Sequence, residues 1–244
     1  MKSVFDKAST FKKIIDSIKD VTKETNINIC EETGWTIQAM DSSHVSLVQL
    51  SIKDSLSEFN CVRAEVIALN METLSKMLRL CDNDAALELS TKDNKLNITS
   101  CRDARKIDFQ QNLMDIEMEN FDLPEMEYPI SIKMPTAEFT RLVRDMKEFG
   151  DNLVVRVTKE NVKFIVEGDA GSGCVTVEPS ATVKLEVEEC LEVTLGLKFL
   201  ALFSKASPLC DEMVWQFGEG MPSCTTFQIG SVDKLAFYLA PKCD

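Results

Sequence analysis

Phe11-Lys12-Lys13-Ile14-Ile15-Asp16-Ser17-Ile18 carries apolar side chains at positions i, i+3, i+4 and i+7, the stripe of a helix that buries one face. The same spacing returns at Leu74, Met77, Leu78 and Cys81, at Phe139, Leu142, Val143 and Met146, and at Phe199, Leu202, Phe203 and Ala206. The first and third stripes begin 128 positions apart and the second and fourth 125, each close to half of the 244 residues. Self-similarity at that period predicts two similar domains with two helices each. A chain of this length has surface enough to bury for two such cores.

Between the stripes the apolar period falls from near four to two. Residues 62–69, residues 162–167, Val183-Lys184-Leu185-Glu186-Val187, Leu191-Glu192-Val193-Thr194-Leu195 and Met213-Val214-Trp215-Gln216-Phe217 read as strands, several of them alternating cleanly. Asp82-Asn83-Asp84, Lys92-Asp93-Asn94, Gly150-Asp151-Asn152 and Gly171-Ser172-Gly173 read as turns. Helices are too sparse for βαβ units, so the expected class is α+β, with antiparallel sheets backed by two helices in each domain. The halves meet at an acidic stretch with two prolines, Pro124 and Pro129, which forbid a continuous helix. The expected boundaries are an N-terminal domain at 1–114, an extended connector at 115–129 and a C-terminal domain at 130–244.

The nine cysteines are widely scattered with no C-x-x-C pair, so they read as reduced thiols, most of them serving as small core hydrophobes. The start of the chain, Met1-Lys2-Ser3-Val4-Phe5-Asp6-Lys7, lacks the apolar run of a secretory leader, and no stretch is apolar enough to span a bilayer. An intracellular protein without membrane contact is expected. His44 is the only histidine, which rules out a multi-histidine metal site and leaves a catalytic triad no context. Gly171-Ser172-Gly173 and Gly218-Glu219-Gly220 lack the lysine and spacing of phosphate-binding loops. No catalytic residue, metal site or cofactor is read from this chain.

A formal net charge of −13 repels nucleic acid, unless the basic residues gather on one surface. Counted from the start of each stripe, Lys13 and Lys19 stand at plus two and eight. Arg141, Arg144 and Lys147 stand at plus two, five and eight, and Lys76 and Arg79 at plus two and five. At about 100° per residue, plus two and plus five lie far from the buried face. Lys12 lies beside the first stripe, and Lys205 falls within the fourth. Three helices repeating one charge offset in so acidic a chain point to a positive surface suited to backbone phosphates rather than base edges. Asp16, Asp20, Asp145 and Glu148 dilute it.

Met40-Asp41-Ser42-Ser43-His44-Val45-Ser46-Leu47-Val48-Gln49-Leu50 is similar to a segment of the eukaryotic proliferating cell nuclear antigen family. So are Leu74-Ser75-Lys76-Met77-Leu78-Arg79, Leu113-Met114-Asp115, Pro124-Glu125-Met126-Glu127-Tyr128, Met134-Pro135, Arg141-Leu142-Val143-Arg144-Asp145, Lys205-Ala206-Ser207-Pro208 and Tyr238-Leu239-Ala240-Pro241-Lys242. The segments occur in the family's order along nearly the whole chain. The resemblance implies the DNA-clamp fold and a homotrimer whose helices line a hole for duplex DNA. Twelve helices spaced by about 10 Å close a circle of roughly 38 Å diameter, wide enough for a hydrated duplex.

The resemblance further implies a non-enzymatic sliding clamp, a DNA polymerase processivity factor of replication and repair, located in the nucleus. Its DNA-facing residues would be Lys12, Lys13, Lys19, Lys76, Arg79, Arg105, Arg141, Arg144 and Lys205; Glu148 puts an acid where the family often has a neutral or basic residue. A groove for partner peptides would combine Met40, His44, Val45, Leu47, Phe121, Leu123, Pro124, Pro222, Tyr238, Ala240, Pro241 and Lys242. The implied partners are double-stranded DNA without sequence preference, DNA polymerase, flap endonuclease, DNA ligase and the clamp loader, the proteins docking through short PIP-type peptides. The trimer junction would join segments 104–112 and 170–177, with Phe109, Gly173 and Val175 in the seam. Lys159 matches the family's main ubiquitin and SUMO acceptor. Two other readings compete: a subunit of a heterotrimeric checkpoint clamp, and a hydrolase with an unrecognised carboxylate site.

Overall fold

The computed structural model describes residues 1–117, 126–169 and 171–242. Its elements run β1 (Lys2–Phe5), α1 (Ala8–Ile18), β2 (Glu24–Cys30), β3 (Gly34–Met40), β4 (Ser46–Ile52), β5 (Glu58–Asn60), β6 (Glu65–Asn70), α2 (Met71–Leu78), β7 (Ala86–Lys92), β8 (Lys95–Arg102) and β9 (Arg105–Asn112). The series then starts again with β10 (Ile130–Pro135), α3 (Thr136–Lys147), β11 (Asn152–Val157), β12 (Val162–Gly168), β13 (Gly171–Val177), β14 (Lys184–Val187), β15 (Leu191–Gly196), α4 (Leu197–Phe203), β16 (Glu212–Phe217), β17 (Ser223–Ile229) and β18 (Asp233–Leu239). Element for element, the second series repeats the first, with one added 3₁₀ turn at Ser204–Leu209.

The strand orders repeat as well. β5-β1-β7-β8-β9 in the first series corresponds to β14-β10-β16-β17-β18 in the second, and β4-β3-β2-β6 to β13-β12-β11-β15. Every pairing with a recorded register is antiparallel, as expected for sheets without crossover helices. The chain divides into two compact units. The first comprises residues 1–42, 48–122 and 228–235; the second comprises 43–47, 123–227 and 236–244. Each unit thus borrows a short segment from the other half of the sequence.

In the first unit, Phe11 of α1 packs edge-on to Trp35 at 5.6 Å, and Phe5 lies 4.9 Å from Phe11. In the second unit Phe139 of α3, the counterpart of Phe11, lies edge-on to Trp215 at 5.2 Å, and Phe164, on the strand that matches Trp35's, stacks on the same indole at 5.9 Å. Ile14, Ile15 and Ile18 of α1, and Val143 and Met146 of α3, are buried beside them. Burial of stripes at helical period explains why these stretches are helices; their side chains would otherwise point half to water. The buried stripe of α2 starts three positions earlier: Met71, Leu74, Ser75 and Leu78 are buried, and Met77 is only half-buried. In α4 the buried set is Leu197, Phe199, Leu200 and Phe203, with Leu202 half-exposed and Lys205 in the 3₁₀ turn that Pro208 accompanies.

Helix starts are satisfied mainly by backbone. The Ala8 N–H donates to the Ala85 carbonyl at 2.8 Å and the Thr136 N–H to that of Asp211 at 2.9 Å, the same contact in each repeat. Met71 N–H donates to Lys23 and Leu197 N–H to Asp151, again a matched pair. Only α2 has a side-chain cap, Asn70 accepting from the Thr73 N–H at 2.9 Å.

Three sequence expectations need correction. The strand expected from residue 62 begins at Glu65, since Val62 is 97% exposed and outside the ladder. Gly171-Ser172-Gly173 is no turn but the start of β13, paired with Gly168, Glu167 and Val166; glycines without side chains are tolerated there because the strand is an edge. Of the eight described cysteines, only Cys61, Cys81 and Cys224 are buried, while Cys101, Cys174 and Cys190 are exposed. The connector residues Phe121, Leu123 and Pro124 lie outside the described residues.

Candidate DNA face and partner site

The helices put their charges where the stripes leave room. In the first unit Lys13, Lys76 and Arg79 are exposed, opposite the buried face. Lys12 behaves differently. Its ammonium donates to the Cys81 carbonyl and to Asn83 Oδ1, the latter at 2.9 Å, so it caps the chain leaving α2. Lys19 keeps only 18% side-chain exposure and pairs with Asp20 at 3.2 Å and Asp16 at 4.0 Å. Asp16 in turn accepts from the Ser75 hydroxyl at 2.7 Å, joining α1 to α2. Lys76 pairs with Glu72 one turn back at 2.7 Å, which holds the Glu72 carboxyl below its usual range. Exposed pairs of this kind exchange readily for other partners, since each contributes under about 1 kcal/mol.

In the second unit Arg141 and Arg144 are exposed and share Asp145, at 3.5 Å and 2.9 Å. Lys147 and Lys205 are exposed as well. The positive residues of each unit thus stand on the solvent face of its helices, but Lys12 and Lys19 are largely committed within the protein. Periodicity placed most of these cations on exposed faces. It could not show that Lys12 was already bonded, because Asn83 and the Cys81 carbonyl meet it only through tertiary folding.

Of the residues expected in a partner groove, the second unit gathers eight: His44, Val45, Leu47, Pro222, Tyr238, Ala240, Pro241 and Lys242. The Ala240 N–H donates to the Val45 carbonyl at 3.0 Å, and the Lys242 N–H to the Thr194 carbonyl at 2.9 Å. These bonds tie the end of β18 beside the loop carrying His44. His44 is exposed with a left-handed φ of 55°, and Val45, Pro222, Tyr238, Ala240 and Pro241 are half-buried. Leu47 is 3% exposed, so in the free chain its side chain belongs to the core. Met40, half-buried at the end of β3, falls in the first unit.

Sequence reading missed Tyr128. Its hydroxyl donates to the Pro222 carbonyl at 2.9 Å, fixing the chain just before β10 against Pro222. Burial pushes both phenols up, Tyr128 strongly and Tyr238 to about 12. They are the only tyrosines in the chain, so absorbance at alkaline pH reports this site alone. Little phenolate is expected as pH passes 10, and stability should fall from there toward pH 12, because a raised folded-state pKa favours the native protein only while the phenol keeps its proton. A phenolate midpoint near 10 in the folded protein would contradict this.

Among the described residues the three sheets end in β5, β9, β6, β14, β13 and β15. β9 ends its sheet in the first unit and β13 in the second, and both are mostly exposed, with Val175 41% accessible. Beside β13 a cleft of about 350 Å³ is lined by Met134, Leu142, Met146, Val175 and Val177 together with Glu138, Arg141 and Asp145. Among the described residues no three His, Cys, Asp or Glu side chains gather as a metal site would need.

An α+β chain made of one nine-strand, two-helix motif used twice, with basic helix faces and open sheet edges, has the architecture of a DNA-clamp subunit. Comparison with known proteins is specific. The family model "Proliferating cell nuclear antigen, N-terminal domain" matches residues 1–125, and the model of its C-terminal domain matches residues 122–242. Proliferating cell nuclear antigen of Dictyostelium discoideum is 35% identical over 252 aligned residues, covering 97% of each chain. That of Chaetomium thermophilum is 34% identical over 249, covering 97% of this chain and 96% of the relative. The chain belongs to the proliferating cell nuclear antigen family. It is a DNA sliding clamp, a non-enzymatic processivity factor of DNA replication and repair, and neither the checkpoint-clamp nor the hydrolase reading is favoured. The family implies DNA encircling, trimerisation and binding of replication partners.

Proposed function

We propose that three copies of this chain close head to tail around duplex DNA, each joining its β9 edge to the β13 edge of the next, in the nucleus. The observation that carries this reading is the internal repeat. β18 is the counterpart of β9, and β4 the counterpart of β13. The end of β18 runs beside the start of β4 in the second unit, through the Ala240–Val45 bond. Those two strand ends already meet within the second unit, and an identical second copy offers the same pairing to β9 and β13. An edge unpaired in the monomer is a standing invitation to another strand, and a head-to-tail contact that closes yields a ring. Phe109 and Ile107, both half-buried on β9, then meet Gly173 and Val175 and the apolar cleft beside them.

Closure would bring Lys13, Lys76, Arg79, Arg105, Arg141, Arg144 and Lys205 to a common interior, with Lys12 and Lys19 supporting the wall. The acidic remainder of the molecule would repel DNA elsewhere. Residues 115–129 would act as the connector between the domains. Phe121, Leu123 and Pro124 would join Met40, His44, Val45, Pro222, Tyr238, Ala240, Pro241 and Lys242 around a short helical plug with aromatic anchors. The PIP-type peptides of DNA polymerase, flap endonuclease, DNA ligase and clamp loader would use this groove, and Lys159, exposed between β11 and β12, would take ubiquitin or SUMO. A membrane partner has no part in this function.

Run length of a replicative polymerase on primed circular DNA tests the reading. Added chain should lengthen products without turnover of its own. Leu123→Ala with Pro124→Ala should remove the gain and weaken a polymerase-tail peptide by about 2 kcal/mol, roughly thirtyfold. Full stimulation by that variant would take these residues out of the groove.

A further inference from the structure

We propose that the tip of the β8–β9 hairpin is an additional phosphate-binding element of the DNA face, formed by Arg102 and Arg105 acting together. The inference rests on the DNA-face reading and extends it beyond the helices, to a residue that neither helix periodicity nor family resemblance had singled out. Arg102 and Arg105 are direct cross-strand partners, with Cys101 opposite Lys106 and only Asp103-Ala104 between them. Asp103 takes a left-handed φ of 52°, a conformation its short polar side chain tolerates, so the turn is as tight as a hairpin allows. Two arginine side chains thereby leave the hairpin from directly paired positions, and all six residues from Cys101 to Lys106 are exposed.

Like charges directly opposed on neighbouring strands destabilise a ladder. Among the described residues neither arginine forms an ion pair, whereas Lys106 beside them is bridged to Asp108 at 2.9 Å, which raises the Lys106 pKa. The repulsion is therefore not relieved inside the chain. An anion with several acceptor oxygens would relieve it, and phosphate suits two planar forks of N–H donors better than a single carboxylate does. Its place favours DNA as the source. Cys101, beside the tip, pairs with Ala86 at the start of β7, so the tip lies by the segment after α2, which Lys12 caps and which follows Arg79. Binding a duplex here would continue the line of phosphate contacts from α1 and α2 onto the hairpin.

Anisotropy of a short fluorescent duplex titrated with the intact oligomer over a salt series tests this. Arg102→Ala is compared with Lys13→Ala on the helix face and with Arg63→Ala, an exposed arginine outside both groups that controls for net charge. Light scattering and circular dichroism on each variant check assembly and fold. Arg102→Ala should weaken binding several-fold at low salt and make the salt dependence shallower by roughly 0.9 for each phosphate it no longer neutralises, with Arg102→Lys restoring much of it. Arg63→Ala should match the parent. If Arg102→Ala behaves like Arg63→Ala while Lys13→Ala weakens binding, the hairpin is no phosphate site and the helix face stands. If Lys13→Ala is also silent, the helix-face reading falls with it.

Discussion

Phe109→Asp is expected to convert the assembly to monomers. By light scattering the mass should fall from three times 27.4 kDa to 27.4 kDa, and polymerase stimulation should be lost with it. In the proposed seam Phe109 projects from β9 toward the cleft lined by Met134, Leu142, Met146, Val175 and Val177. An aspartate there would place an ionised carboxylate among apolar walls, with Glu138 and Asp145 of the same cleft adding like charge. Burying an unpaired charge costs several kcal/mol even after relaxation, and a ring imposes that cost at all three seams. Phe109 is only half-buried in the single chain, so the subunit fold should survive, and unchanged circular dichroism separates dissociation from unfolding. A variant that remains trimeric would move the seam away from β9.

The sequence made the repeat visible only through its helices. Phe11 and Phe139 stood out because each opens a clean apolar stripe, and both proved to pack edge-on against a buried tryptophan. The strands were less legible. The start of β13 reads as a turn because Gly171 and Gly173 are turn residues by local preference, yet a sheet edge tolerates glycine. Residues 62–69 read as one strand because hydrophobicity runs through Val62, which the structure leaves in solvent. The correspondence of the strand orders could not be read from the sequence, since register is set by partners far along the chain.

The candidate site was legible to a similar depth. Helical period put Lys13, Lys76, Arg79, Arg141 and Arg144 on exposed faces. It set Asp16 and Asp20 near Lys19 without showing that both pair with it, and gave no hint that Lys12 caps the exit of α2. The Lys12 bonds depend on how the segment after α2 packs on α1, where Ser75 meets Asp16. Helix starts were equally hidden, because Ala8 and Thr136 are capped by distant backbone carbonyls rather than by a side chain that a capping rule would flag. Tyr128 escaped notice because its role is a hydroxyl contact with Pro222, ninety-four positions away.

The central claim is that basic faces of separate helices meet DNA inside a closed ring. Photo-crosslinkers placed one at a time at Lys13, Lys76 and Arg144, and at Thr36 and Lys163 on strands, test it after the clamp has been loaded on nicked circular DNA. Crosslinks should form from the three helix positions and not from the strand positions. Cutting the circle once before irradiation should abolish them, because a ring that holds DNA by encirclement and weak, salt-screened contacts slides off an open end. Crosslinks from Thr36 or Lys163 equal to those from the helices, or signals that survive linearisation, would contradict the account.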